Sequence, residues 1–262
     1  MVASGNDFVI VSPLARLPVS PLKDLAKKIC DRKYGIGADG LLVLRKSRVA
    51  DVRMRIFNAD GSEAQMCGNG ARCVAYYLSS KLKAQSSNFK IETKAGVIYS
   101  KVCKDNVKIK LTDPKNIKLD IPLKVNNRSI KVNFVDTGVP HTVIFTEGLD
   151  KIDVREIGRF IRFHKKFAPR GTNANFIEIL SRDAIKVRTY ERGVEDETLA
   201  CGTGSVASAV IFSLKTNADR QVKVHTKGGE ILTVYFTKMK NKYSGVWLEG
   251  KARIVYKGAY NV

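Results

Sequence analysis

Two short strings carry residues whose types and spacing suit proton transfer: Cys67-Gly68-Asn69-Gly70-Ala71 and Cys201-Gly202-Thr203-Gly204-Ser205. Each sets a thiol directly ahead of two glycines and a run of small residues that reads as a helix. Glycine lets the backbone turn tightly and approach a ligand, and the first-turn N–H groups of the helix have no intrahelical acceptors. Those donors and the positive helix end make an anion site. The same field is expected to lower a neighbouring thiol from about 8.5 towards about 3.5–7.5. One such site is a generic carboxylate or phosphate holder. Two facing sites, each with a cysteine, suit inversion of a carbon that bears a carboxylate. One thiolate removes the α-proton from one face while the opposing thiol protonates the other. Negative charge grows on the carboxylate as the carbanion forms, where both helix ends would stabilise it. The α-proton is weakly acidic, so a dry cleft and this preorganised field must supply much of the rate.

Positioning two such sites against each other is a task for the whole chain, and the sequence carries a diluted duplication. Cys67 and Cys201 are 134 positions apart (201 − 67). Thr93-Lys94-Ala95-Gly96 recurs as Thr226-Lys227-Gly228-Gly229, an offset of 133 (226 − 93). Tyr34–Asp39 loosely matches Arg170–Asn175 at 136 (170 − 34), and Phe8–Val11 meets Thr142–Phe145 at 134 (142 − 8). Four matches in one order, at nearly one offset, predict two similar halves about a pseudo-twofold axis.

Each half reads as strands with two helices. Leu22, Leu25, Ala26 and Ile29 follow helical spacing, as do Val74, Ala75 and Leu78, while Val52, Met54 and Ile56 alternate as a strand. Phe89–Thr93 and Val97–Val102 read as a strand pair turning at Ala95-Gly96. In the second half, Val154, Ile157, Phe160 and Ile161 predict a helix and Val206, Ala209 and Val210 another. Ile177–Leu180 and Ile185–Tyr190 predict strands. Helices among strand pairs argue for an α+β fold. The seam falls near Asp113–Pro122, where Pro114 and Pro122 break the pattern. The predicted division is residues 1–115 plus 252–262, with Cys67, and residues 116–251, with Cys201.

Composition narrows the function. The 262 residues are 44% hydrophobic and 27% charged, as in a globular protein. No apolar run reaches the roughly 18 residues of a membrane helix, and the start lacks the pattern of a secretory signal. The expectation is therefore a cytoplasmic chain without a membrane partner. Five cysteines form no CxxC pair and no disulfide framework, in keeping with a reducing compartment. A net charge of +21 raises the question of nucleic acid. The lysines are dispersed, as across Lys101–Lys118, and no nucleic-acid motif accompanies them, so the expectation is a lysine-rich surface. No metal-ligand spacing and no dinucleotide fingerprint is present. Cys30 and Cys103 read as core fillers and Cys73 as helix interior. His164 and His225 receive no role.

Longer strings around the two cysteines resemble the diaminopimelate epimerase family. Asn58-Ala59-Asp60-Gly61-Ser62-Glu63 with Met66–Cys73 is similar to its first signature, and Glu191–Gly204 to its second. The likeness continues through Gly5–Phe8, Gly35–Gly40, Pro140-His141 and Gly171–Phe176, essentially end to end. It implies two pseudo-symmetric domains, each a curved antiparallel sheet around a central helix, and a reaction without cofactor or metal. It matches Cys67 and Cys201 to the catalytic pair, and His141 and Glu191 to residues that assist them. Gly68, Asn69, Gly202 and Thr203 match the α-carboxylate cradle. Asn6, Asn58, Asn173 and Arg192 match substrate-binding positions, Arg192 being suited to a bidentate grip on the distal carboxylate. A homodimer acting on LL- and meso-diaminopimelate, in lysine and peptidoglycan precursor synthesis, is what the family implies.

Three positions depart from the pattern. Val139 stands where many members have an asparagine, Gly40 where some have glutamine, and Met1 falls within the family's first strand. Val139 leaves room for a broader-specificity amino-acid racemase, which Arg192 and Asn173 oppose. A binding protein of the same fold without turnover is opposed by the presence of both cysteines, His141 and Glu191.

Overall fold

The structure, a computed structural model, describes residues 1–11, 22–83, 86–125, 128–240 and 242–260. The chain divides into two compact units, Met1–Lys110 with Gly250–Val262, and Leu111–Glu249.

Unit 1 contains β1 (Val2–Ala3), β2 (Asn6–Val11), α1 (Leu22–Cys30), β3 (Gly40–Arg45), β4 (Val52–Asn58) and β5 (Glu63–Ala64). It continues with α2 (Gly68–Leu82), β6 (Ser86–Thr93), β7 (Gly96–Cys103) and β8 (Asn106–Lys110). Most neighbours pair antiparallel, but β2–β3 and β4–β6 run parallel. Each parallel pair spans a helix, α1 in the first case and α2 in the second, as a crossover between parallel strands requires. A purely antiparallel sheet is therefore not what forms.

Unit 2 repeats this plan. It holds β9 (Lys115–Val125), β10 (Arg128–Asp136), β11 (Pro140–Phe145), α3 (Val154–Arg162), β12 (Asn173–Ser181) and β13 (Ala184–Glu191). Then come β14 (Asp196–Thr198), α4 (Gly202–Thr216), β15 (Gln221–Thr226), β16 (Ile231–Met239) and β17 (Lys242–Lys251), the last two residues of which belong to unit 1. Its parallel pairs are β11–β12 and β13–β15. The duplication reaches single residues: Phe8 pairs with Gly40 in unit 1, and Thr142 with Ala174 in unit 2. Both α2 and α4 have 15 residues, and each ends on a left-handed residue, Lys83 and Asn217.

Packing explains the helices. In α1, Leu22, Leu25, Ala26 and Ile29 bury one stripe against Leu41, Val43 and Phe57. In α3, Val154 and Ile161 pack with Leu149, Phe176 and Tyr190. Phe160, placed on that stripe by its spacing, is 49% exposed instead. Helix α4 is buried along Gly204–Ser213, and its glycine, alanine and serine side chains let strands approach on several sides. A helix apolar around most of its girth belongs inside a fold.

Local differences from the sequence reading have simple causes. Pro122 does not break the chain but lies within β9, which pairs with β10; an edge strand tolerates a residue with no N–H to donate. The β6–β7 turn centres on Lys94-Ala95, because Thr93 pairs with Gly96. Cys103 is exposed, not a core filler: β7 alternates, and Val102 takes the inward position. Among the described residues, no helix is long and apolar enough to cross a membrane.

Candidate functional site

In unit 1, Cys67 is the N-cap of α2. Its extended backbone (φ −143°, ψ 119°) turns the chain into the helix, and its Sγ accepts the Gly70 N–H at 3.4 Å. A sulfur in that place lies against the first-turn donors at the positive end of the helix. The first helical bond runs from Ala71 N–H to the Cys67 carbonyl, leaving the Gly68 and Asn69 N–H groups without intrahelical acceptors.

Beside this helix end, Asn69 donates to Asn6 Oδ1 at 2.6 Å, and Asn6 donates to Asp39 Oδ2 at 3.1 Å. The fully buried Arg72 donates to Asn69 Oδ1 at 2.7 Å and also to Ser4 Oγ and the Lys251 carbonyl. Asn6 and Asn69 are thus held from both ends in fixed amide orientations. Asn58 is exposed at the end of β4, where it donates to Ser62 Oγ at 2.9 Å. Gly40 opens β3, and a Cβ there would stand 2.9 Å from the Phe57 carbonyl. The backbone at this position admits glycine and would have to shift for a glutamine.

In unit 2, Cys201 caps α4 in the same extended conformation (φ −118°, ψ 113°). Its Sγ lies 3.6 Å from Thr203 Oγ1, with the Glu191 carboxylate beside it. Burial and the adjacent Glu191 charge push the Cys201 thiol well up. The lowering expected from the helix end is outweighed here, because desolvation of a thiolate costs more than the dipole returns. Burial also raises Glu191, against the Thr198 hydroxyl, which donates to its Oε2 at 3.1 Å.

His141, on β11, is fully buried, and burial together with Arg192 lowers its pKa to about 3. It is a neutral imidazole. Its Nδ1 lies 3.1 Å from Asn175 Nδ2, and its Nε2 has no hydrogen-bond partner among the described residues. Asn173 bridges two backbones: it donates to the Pro140 carbonyl at 2.9 Å and accepts the Arg192 N–H at 2.8 Å. Arg192 donates to the Arg170 carbonyl at 3.0 Å. Burial and the charges of Arg162 and Arg170 depress its guanidinium, a local excess of positive charge that an anionic group would relieve. Val139 is half-buried in the turn before Pro140, its carbonyl accepting the Thr137 N–H at 3.1 Å.

Each unit thus gathers its own predicted residues, Cys67 with Gly68, Asn69 and Asn6, and Cys201 with Thr203 and Glu191. Asn175, Thr198 and Arg72 were not singled out from sequence. A buried asparagine and a half-buried threonine in strands have no local pattern to mark them. For Arg72 the signal was a charged side chain one turn inside the helix, among the small and apolar residues Gly70, Ala71, Cys73, Val74 and Ala75.

Two α+β units of matching topology, each with a cysteine opening its buried helix, define the class by fold. The fold is that of the Bacillus anthracis phenazine biosynthesis protein of the PhzF family (TM-score 0.74, 20% identity, 96% of this chain and 92% of that one). It is also that of a hydroxyproline epimerase from Agrobacterium vitis (TM-score 0.62, 15% identity, 95% and 87%). The family model for diaminopimelate epimerase matches residues 1–117 and 133–255. The diaminopimelate epimerase of Caldanaerobacter subterraneus subsp. tengcongensis is 38% identical across 98% of this chain and 97% of its own length. That of Aquifex aeolicus is 40% identical across 97% and 94%. The chain belongs to the diaminopimelate epimerase family.

Proposed function

We propose that the protein interconverts LL- and meso-2,6-diaminopimelate without a cofactor, Cys67 and Cys201 acting as acid and base on opposite faces of one α-carbon. The observation that carries this reading is the equivalence of the two cysteines as N-caps of α2 and α4. The open N–H groups of Gly68, Asn69, Gly202 and Thr203 receive the α-carboxylate and stabilise the charge that builds on it. Glu191 accepts the Cys201 proton when Cys201 serves as base, and returns it when Cys201 serves as acid. His141, buried and neutral, assists the thiols. Arg192 takes the distal carboxylate, with Asn173 fixing its backbone, and Asn6 and Asn58 contact the substrate's polar groups.

The test is solvent deuterium exchange at the α-carbon of LL-diaminopimelate, alongside epimerisation by Cys67→Ala and Cys201→Ala. Wild-type protein should exchange, and each variant should lose at least about 10³-fold in kcat. Full turnover by either variant overturns the two-base scheme. Val139 favours a second reading, a racemase of broader specificity on the same scaffold. Turnover of glutamate, aspartate or proline with none of diaminopimelate would select it. The same reading has the chain act as a homodimer in the cytoplasm, with no nucleic-acid partner. Light scattering checks the dimer, and a salt-sensitive gel shift checks for nucleic acid.

A further inference from the structure

The two units share more than their cysteines. Four residues ahead of Cys67, Glu63 on β5 is gripped by Arg55 of β4, with Nε to Oε1 at 2.8 Å and the terminal nitrogen to Oε2 at 3.1 Å. Lys94, in the β6–β7 turn, closes on Oε2 at 2.6 Å. Four residues ahead of Cys201, Glu197 on β14 is gripped by Arg188 of β13 at 2.7 and 2.9 Å. Lys227, in the β15–β16 turn, closes on Oε2 at 2.6 Å. A backbone bond accompanies each triad: Ala95 N–H to the Gln65 carbonyl at 3.3 Å, and Gly228 N–H to the Leu199 carbonyl at 2.9 Å.

The residues between carboxylate and cysteine differ, Ala64-Gln65-Met66 against Thr198-Leu199-Ala200. The triad and the backbone bond recur regardless. The lysines are 46% and 38% exposed, and such contacts contribute little. A covered arginine–carboxylate pair is weak evidence of stabilisation as well. What each triad does is tie a strand, a hairpin turn and the cysteine-bearing loop into one rigid unit. Two-point guanidinium geometry fixes direction as well as distance. Proton transfer needs that, because a small misplacement of the reacting atom costs orders of magnitude in rate.

We infer that Arg55–Glu63–Lys94 and Arg188–Glu197–Lys227 are twin positioning clamps, each setting the placement of the cysteine four residues beyond its glutamate. The inference rests on the two-cysteine reading above for its catalytic consequence, though not for its effect on the thiols. None of the six residues needs to touch substrate.

The experiment measures kcat, KM and the iodoacetamide alkylation rate of each cysteine, by mass spectrometry of one sample, in Glu63→Gln and Glu197→Gln. Glu63→Gln should lower kcat about 10- to 100-fold with KM within about twofold, and change Cys67 alkylation at least about threefold while sparing Cys201. Glu197→Gln should do the reverse. Lys94→Arg and Lys227→Arg should behave as wild type. If a glutamine variant does not fold, Lys94→Met and Lys227→Met remove one arm and should give the same cysteine-specific change, reduced in size. Unchanged alkylation, or both cysteines shifting together in step with melting temperature, overturns the inference. Local alkylation changes beside a fully active Cys67→Ala enzyme would keep the clamps and sink the two-cysteine reading instead.

Discussion

Asn175 Nδ2 lies 3.1 Å from His141 Nδ1, and the remaining bonds of Asn175 determine what passes between them. Its Oδ1 accepts the Thr189 hydroxyl at 3.0 Å, and its Nδ2 donates to the Thr142 carbonyl at 2.7 Å. The amide orientation assigned by that network makes Nδ2 the donor to His141, so Nδ1 accepts and the ring proton sits on Nε2. Long-range proton–nitrogen NMR should find His141 neutral with Nε2 protonated from about pH 5 to about pH 8. A doubly protonated ring in that range would contradict the assignment.

The same burial has a consequence for stability. His141 is held at about 3 in the native chain against an ordinary 6.5. Between those values the unfolded chain binds the additional proton, so stability must fall as pH drops below 6.5 and must rise again with pH. Denaturant titrations across that window should give a shallower acid slope for His141→Gln than for wild type. Equal slopes would mean that His141 is not the group responsible.

Thr198 supports the charged form of Glu191. Thr198→Val removes the donor, raises the carboxyl further and moves the acid limb of the kcat/KM profile to higher pH. A hydrogen bond to a charged group is worth enough to cost about 10-fold in kcat/KM on that limb. The loss should shrink as pH rises and Glu191 ionises fully. A loss independent of pH would assign Thr198 a purely structural part.

The two helix starts differ in how much room they leave. A Cβ on Gly204 would stand 2.4 Å from Asn175 Oδ1 and 3.2 Å from Cys201 Sγ, whereas one on Gly70 meets Leu42 at 3.2 Å and Cys67 Cβ at 3.6 Å. Gly204→Ala should therefore displace the reacting sulfur and lower kcat about 100-fold, while Gly70→Ala loses less than about 10-fold. Steady-state kinetics of the two variants, compared at equal folded fraction, decide it.

Arg72 is buried among hydrogen-bond acceptors of three separate segments, Ser4, Asn69 and Lys251. Arg72→Met should cost about 1–3 kcal/mol in urea denaturation, because buried acceptors lose their donor. With Asn69 and Asn6 no longer held, KM should rise more than kcat falls. An unchanged KM would separate Arg72 from the site.

Much of the fold was legible because its patterns are local or repeat at one offset. Helices α1 and α3 announce themselves by apolar spacing, and α2 and α4 by the glycines behind each cysteine. The offset of 134 between Cys67 and Cys201 already paired the halves (201 − 67). Residues whose role depends on a partner far along the chain were not legible. Asn175 acquires its role from His141, 34 positions away, and Glu63 from Lys94, 31 positions away.

The sequence by itself determined the duplication, the two cysteine helix starts and the family. Tertiary structure alone decided what surrounds the Cys201 thiol, and therefore its protonation. Burial and Glu191 on β13 push that thiol upward, against the helix end that the sequence placed beside it. The reason is physical: desolvation and neighbouring charge depend on packing between distant segments, which no local string of residues encodes.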